Sequence, residues 1–286
     1  DVFVRRSVRD LLPGDHAWLP FSTDEEQGHV IGSWVQDGLR IQDKVIYVID
    51  AEPWELPGLY GQDLREEVRQ GLLTLIPVGE ACLTGGMFDH GKMLDTLGDE
   101  IKKAQEQEYR GIRVTSEMSW ALQQPFGDTR VELCEQELGE RVCPSVSVTA
   151  ICQTDRRRCG PDQLRLLSDH HEVRVIPNPD FDDPVLSITR TYSPLGLHLR
   201  GELDGARHSP FSEALNHVTP NGETIHLDLG ELAFMSLGAL QEMTNYTRRR
   251  GRHSRIVLDN VPEHLRSLIT VVGEHRLPGI ELGDSP

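Results

Sequence analysis

From His16 to Ile176, short runs of branched apolar residues alternate with stretches in which apolar residues recur every three or four positions. The first kind predicts strands and the second helices, because side chains repeat every two residues in a strand and about every 3.6 in a helix. The run His16 to Phe21 leads into Ser22-Thr23-Asp24-Glu25-Glu26, a capping-box pattern. Behind it, Val30, Ile31, Trp34, Val35 and Leu39 form one helical stripe. Lys44 to Asp50 (KVIYVID) is nearly continuous in Val and Ile, as expected of a parallel strand covered on both faces. Asp63 to Gln70 reads as a polar helix and Leu72 to Pro77 as a strand. Lys92 to Gln107 is a helix with Met93, Leu97, Ile101 and Ala104 on one face. Ile112 and Val114 then alternate in a strand that ends in a polar and aromatic corner, Thr115, Ser116, Glu117, Ser119 and Trp120. A charged helix at Thr129 to Leu138, a strand at Ser145 to Gln153, a helix from Pro161 to His170-His171 and a strand at Val173 to Ile176 complete the series. Such alternation predicts right-handed βαβ units and a mainly parallel sheet with helices on both faces, in a domain spanning 1–177.

Pro177 to Pro184 carries three Pro and three Asp and is the best linker in the chain, at 178–184. Beyond it the pattern changes. Leu195, Leu197 and Leu199 alternate with polar residues, Phe211, Ala214, Leu215 and Val218 fall at helical spacing, and Ile225, Leu227 and Leu229 alternate again. A helix at Ser236 to Arg249, a strand at Arg255 to Leu258 and a helix after Pro262 follow. This ββαβαβα order predicts a second, smaller α/β domain over 185–286.

Composition narrows the class. The 286 residues are 37% hydrophobic, enough for real cores, and carry a formal charge of −17 from 29 basic and 46 acidic residues. That excess repels a phosphate backbone, so nucleic acid is not the expected partner. The basic run Arg248-Arg249-Arg250-Gly251-Arg252 closes a helix, where cations suit the dipole. No apolar run approaches the roughly 20 residues that span a bilayer and no signal peptide is visible, so the expectation is a soluble, cytoplasmic protein without a membrane partner. The chain begins at Asp1, so residues ahead of it are expected. Cys82, Cys134, Cys143, Cys152 and Cys159 have no zinc-finger spacing and read as reduced thiols, with no metal site expected.

A working phosphate loop is not evident. Gly86-Met87-Phe88-Asp89-His90-Gly91-Lys92-Met93 has Met93 where Ser or Thr should hold magnesium, and it follows the third strand rather than the first. At the expected place stands Phe21 to Gln27, with three carboxylates and no glycine. Other candidates lie at strand ends, where ligands meet an open sheet. Asp50, Glu52, Glu117 and Trp120, with Asp155 on a later strand, are the expected ligand-binding residues, and His16, beside Asp15 and near Trp18, joins them. His90, His170 and His171 have no partner legible in the sequence. The second half shows no nucleophile–base pair, so no catalytic residues are expected there. Ser236 is a helix N-cap and a candidate phosphorylation site.

Two resemblances rest on these same residues. Gly14-Asp15-His16-Ala17, the TDEEQ segment, Gly86-Met87-Phe88-Asp89, Arg113 to Ala121 (RVTSEMSWA) and Ile151 to Arg156 (ICQTDR) make the first half similar to the MEDS domain, a methanogen and methylotroph sensory domain related to RecA/KaiC-like ATPases. The resemblance implies a RecA-like sheet without a working phosphate loop, sensing small hydrocarbon-like compounds, with His16, Glu117 and Trp120 as pocket residues. Leu197 to Asp204 and Ile225 to Leu240 resemble a STAS domain, the fold of anti-sigma-factor antagonists. Many such domains carry a phosphorylated Ser after an Asp; here Ser236 takes the aspartate's place and Leu237 the serine's. Together they imply a non-enzymatic bacterial signalling regulator whose partner is an anti-sigma factor or related switch kinase. Its ligand and any cofactor are unidentified, and a homo-oligomer is left open. The alternative is a RecA-like nucleotide-binding protein or ATPase with a degenerate P-loop.

Overall fold

The seven-stranded sheet that organises the first unit runs β1-β9-β2-β8-β7-β3-β4, and every pairing in it is parallel. The structure is a computed structural model and describes residues 4–50, 55–142, 147–218, 224–251, 253–273 and 277–283. Glu52, Cys143 and the expected strand start at Ser145 lie outside those residues. The chain divides into two units, Asp1–Pro177 and Asn178–Pro286.

In the first unit the strands are β1 (Val4–Ser7), β2 (His16–Phe21), β3 (Lys44–Ile49), β4 (Leu73–Pro77), a small hairpin of β5 (Leu83–Thr84) and β6 (Met87–Phe88), β7 (Ile112–Glu117), β8 (Val148–Asp155) and β9 (Val173–Ile176). Between them lie α1 (Asp24–Gln27), a π turn at Gly28–Gly32, α2 (Ser33–Arg40), α3 (Arg65–Arg69), α4 (Val78–Ala81), α5 (His90–Glu106), α6 (Ser119–Leu122), α7 (Gly127–Arg141) and α8 (Pro161–Asp169). Two cores form, one on each face of the sheet. The first joins Trp18, Val114, Ala150 and Cys152 to the apolar stripes of α5 and α7, and the second joins Leu19, Tyr47 and Ile151 to Val30, Trp34 and Val35. Neighbouring strands in parallel register send side chains to the same face, so alternate residues of each strand serve opposite cores. The π turn has a packing reason. A Cβ on Gly28 or Gly32 would sit 2.9 Å from the backbone of Gly58, so the helix can press against that loop only with glycine there. Strand β1 was not expected: VRRS has no apolar alternation, and it is held at the edge by backbone pairing to β9 (Val4 opposite Val173).

The second unit contains β10 (Phe181–Asp182), β11 (Leu186–Tyr192), β12 (Leu195–Leu203), α9 (His208–Val218), β13 (Thr224–Met235), α10 (Leu237–Arg250), β14 (Arg255–Asp259), α11 (Glu263–Val272) and β15 (Ile280–Leu282). The sheet order follows the chain, antiparallel from β10 to β12 and parallel from β12 to β15. The stretch expected as a free linker, 178–184, belongs partly to this sheet. Asp183 Oδ1 accepts from the backbone N–H of Val185 and Leu186 (2.8 Å each) and its carboxylate pairs with Arg207, so an Asx turn brings Phe181 opposite Ile188. Among the described residues, no helix is long and apolar enough to cross a membrane.

Candidate functional site: a buried His–Glu–Cys–His knot

Four side chains from four separate segments meet under the sheet of the first unit. His16 opens β2 and stands opposite Ala150 in β8, while Trp18 stands opposite Cys152, so all four face the core shared with α7. Helix α7 buries Val131, Cys134 and Leu138, a stripe at helical spacing, and Glu135 lies on that same stripe. A carboxylate is thereby carried into the apolar interface. The chain leaving α8 supplies His171.

The geometry centres on one oxygen, Glu135 Oε2. It lies 3.1 Å from His16 Nε2, 3.2 Å from Cys152 Sγ and 3.4 Å from His171 Nε2. His16 Nε2 is also 3.3 Å from Cys152 Sγ. The side chains of His171 and Glu135 are 0% and 3% exposed, so water does not share the work of satisfying them. His171 Nδ1 lies 2.7 Å from the Leu167 carbonyl. A carbonyl only accepts, so Nδ1 carries the proton and donates, and in the neutral ring Nε2 is a lone pair. Nε2 faces the Glu135 carboxylate at 3.4 Å without hydrogen-bond geometry, and a proton on it makes the pair an ion pair. Trp18 stacks on the His171 ring (centroids 6.2 Å, planes 23° apart) and donates its Nε1 proton to Thr154 Oγ1 at 3.0 Å, which fixes the ring that covers the knot.

Charge within the knot is strongly perturbed. Burial pushes the Glu135 carboxyl up, but the His171 and His16 imidazoles more than offset it, and the group is held well below the usual carboxylate range. Burial lowers His16, and the hydrogen bond from its ring to Glu135 only partly restores it. Beside the knot is a cavity of about 20 Å³ lined by Met93, Leu97, Met118, Leu138, Glu135 and Cys152. That is room for about one water-sized group.

The expected ligand residues are not one pocket. His16 begins its strand, whereas Glu117 ends β7 opposite Gln153 of β8, so the two are at opposite ends of the sheet; this corrects the expectation that they share a site. Glu117, Trp120 and Asp155 do come together, around Ser119. Glu117 Oε1 accepts from Ser119 N (2.7 Å), Ser119 Oγ accepts from Asp155 N (2.7 Å), and Trp120 Nε1 donates to the Glu117 carbonyl (2.9 Å). Trp120 also meets Phe88 edge to face, with centroids 5.7 Å apart. Burial raises the Glu117 carboxyl, while Arg157 holds Asp155 at 2.8 Å. These polar groups are largely satisfied by one another. Asp50 is exposed at the end of β3.

The place of a phosphate loop is filled by the protein itself. Thr23 Oγ1 accepts from Glu26 N (3.1 Å), and Glu26 Oε2 accepts from Ser22 N (2.7 Å). The amides that would cradle a phosphate thus already hold acceptors, one of them a carboxylate. Gly85 and Gly86 form the turn of the β5–β6 hairpin, and Asp89 caps α5 by accepting from Lys92 N at 3.0 Å. In the second unit, Ser236 caps α10, its Oγ accepting from Ala239 N at 3.3 Å and lying 2.8 Å from His208 Nε2. Leu237 next to it is 60% exposed.

The sequence profile of the MEDS family, the methanogen/methylotroph, DcmR sensory domain, matches residues 15–172. The chain belongs to the MEDS family. All four knot residues fall within that match, and a STAS domain (described as Mlab, STAS domain) follows at 186–279. The MEDS unit has the parallel-sheet α/β architecture derived above. Solved structures similar to the chain include a KaiC-like protein from Pyrococcus horikoshii OT3, 14% identical, covering 66% of this chain and 79% of its own at a TM-score of 0.44. Another is the flagellar accessory protein FlaH from Methanocaldococcus jannaschii, 10% identical, covering 64% and 80% at 0.39. No curated protein matches the chain.

Sequence reasoning found one knot residue, His16, and passed over three. Glu135 was legible as a lone carboxylate on the apolar stripe Val131–Cys134–Leu138. Cys152 shares strand parity with Ala150, the residue opposite His16. His171 carried no such signal, because its position depends on how α8 docks.

Proposed function

We propose that this MEDS–STAS chain is a non-catalytic bacterial signalling regulator, in which the MEDS unit receives a small signal at the buried knot and the STAS unit engages a protein partner of the anti-sigma or switch-kinase class. The observation that carries the reading is the knot itself: a desolvated carboxylate, thiol and imidazole pair beside a cavity of about 20 Å³. The cavity admits about one water-sized group as it stands. Its flexible Met walls can give way to a ligand of a few heavy atoms, and Met and Leu together suit an apolar one. The filled phosphate position supports a receptor over a nucleotide hydrolase. A signal acts through such a site only if its affinity differs between two states of the chain.

The test is a melting-temperature screen of the full chain with one- and two-carbon alcohols, aldehydes and halides, set against ATP with magnesium. A ligand that binds the folded state raises the melting temperature by mass action. The expected result is a concentration-dependent shift from a small compound, abolished in Glu135→Gln. A shift with ATP and magnesium and none with any small compound would replace this reading with the nucleotide-binding one.

A further inference from the structure

We infer that His16, Glu135, Cys152 and His171 form a binding site for a divalent transition-metal ion of the zinc class. Among the described residues, this is the group of His, Cys, Asp and Glu side chains whose ligand atoms all lie within 4.8 Å of one another. Three physical observations carry the assignment.

The first is the spacing. A tetrahedral ion with bonds of about 2.0–2.1 Å to nitrogen or oxygen and about 2.3 Å to sulfur holds its ligand atoms about 3.3–3.6 Å apart. Four of the six edges here measure 3.1, 3.2, 3.3 and 3.4 Å. The second is the orphaned nitrogen. His171 donates from Nδ1 to the Leu167 carbonyl, as metal-binding imidazoles commonly donate their other N–H to a backbone carbonyl. Its Nε2 is left buried, unbonded, and aimed at an anionic oxygen. A desolvated imidazole nitrogen facing a carboxylate oxygen calls for a cation between them, the ring proton or a metal ion in its place.

The third is charge. A dication bound here takes Cys152 as thiolate, Glu135 as carboxylate and both imidazoles as neutral lone pairs, with any protons they carry released to solvent. Dication, thiolate and carboxylate then sum to zero inside the core. A mixed nitrogen, sulfur and oxygen set suits zinc, cobalt or ferrous iron better than magnesium or calcium, which favour all-oxygen shells. The adjoining cavity touches both Glu135 and Cys152, so a small exogenous ligand there would reach the ion directly. Metal binding stands on the geometry alone. Only the role of the metal in signalling rests on the sensory reading above.

The chemistry of a nucleophilic thiol, with His16 as base and Glu135 as its orienting carboxylate, is the competing use of the same atoms. It needs a thiol that a substrate can approach, whereas Cys152 is 7% exposed beneath the sheet.

The experiment is a cobalt(II) titration of the full-length chain, purified under reducing conditions and stripped with a chelator. One ion per chain is expected, with the intense visible bands of tetrahedral cobalt and a thiolate-to-cobalt charge-transfer band, both displaced by equimolar zinc. Cys152→Ser should lose the charge-transfer band, and His171→Ala should weaken binding by more than about tenfold, the loss seen when only an outer-shell partner is disturbed. Cys159→Ser should match the wild type, and far-ultraviolet circular dichroism confirms folding of each variant. If no cobalt or zinc binds at equimolar concentration, or if Cys152→Ser gives the wild-type spectrum, the site is not a metal site. A melting shift from small compounds with no metal bound overturns this inference and leaves the sensory reading standing. Metal bound with no response to small compounds does the reverse.

Discussion

The two units bury different kinds of side chain. Among the described residues, the MEDS unit buries Lys44, Glu135, Asp155, His171 and Gln153 along with its apolar core. The STAS unit's buried polar side chains are all hydroxyls: Ser187, Thr189, Thr244, Thr247 and Ser254. Its ion pairs lie nearer the surface, as with Arg207 to Asp183 at 2.9 Å and His198 to Asp228 at 3.1 Å. A helix hydroxyl can be satisfied locally; Thr244, for example, bonds the Leu240 carbonyl one turn back at 2.9 Å. The Glu135 carboxylate is not. It costs several kcal/mol to desolvate and is held only by partners brought from elsewhere in the fold. One unit is therefore built as a stable platform, and the other keeps charge where apolar side chains would have packed well. Perturbed, desolvated groups of that kind cluster at functional sites.

That contrast can be broken by mutation, and tryptophan fluorescence separates the units because Trp18, Trp34, Trp54 and Trp120 are all in the first. The largest effect is expected from Glu135→Ala. Removing the carboxylate leaves the imidazoles and thiol without their common partner, and denaturant unfolding followed by tryptophan emission should show a loss of about 3–5 kcal/mol. In the STAS unit a comparable loss requires a cavity. Leu199→Ala, at a fully buried position, should cost about 2–5 kcal/mol in unfolding followed by circular dichroism, with the tryptophan transition unmoved. A fluorescence transition that moves with Leu199→Ala would show that the two units unfold as one.

Ser236→Ala should cost about 1 kcal/mol, since it removes the side-chain cap of α10. Loss of function without this small loss of stability would point to the His208–Ser236 contact instead of the cap. The smallest effect is in pH dependence, and its sign differs between the units. The Glu117 carboxyl is raised by burial, so the folded MEDS unit binds its proton more tightly than the unfolded chain does. Between the ordinary carboxylate pKa and the raised value, stability falls as pH rises, and Glu117→Gln should flatten that slope. Asp183 is lowered to about 2, chiefly by the Arg207 hydrogen bond and then by the Leu186 amide. Its contribution is present above the ordinary carboxylate pKa and is lost as pH falls towards 2, a loss that Asp183→Asn removes. Thermal melts of both variants against the wild type across this range measure both signs.

The sequence by itself determined the strands and helices that bury one clean face. KVIYVID could only be an interior parallel strand, and the stripe from Val30 to Leu39 only an amphipathic helix, because burial of those residues is a local consequence of their spacing. It also determined that the phosphate position is acidic, which the Glu26 to Ser22 bond then explained. Elements without an apolar pattern, β1 and β10, were not legible, since each is held by a neighbour's backbone and not by its own side chains. The site followed the same division. His16, Glu135, Cys152 and His171 are spread over most of the MEDS unit, and no spacing between them repeats. Only the register of β2 on β8, the rotation of α7 that turns Glu135 inward, and the docking of α8 beside them bring four ligand atoms within reach of one another. Local patterns report which face of an element is buried. Which buried faces meet is decided by packing, and the knot lies where they meet.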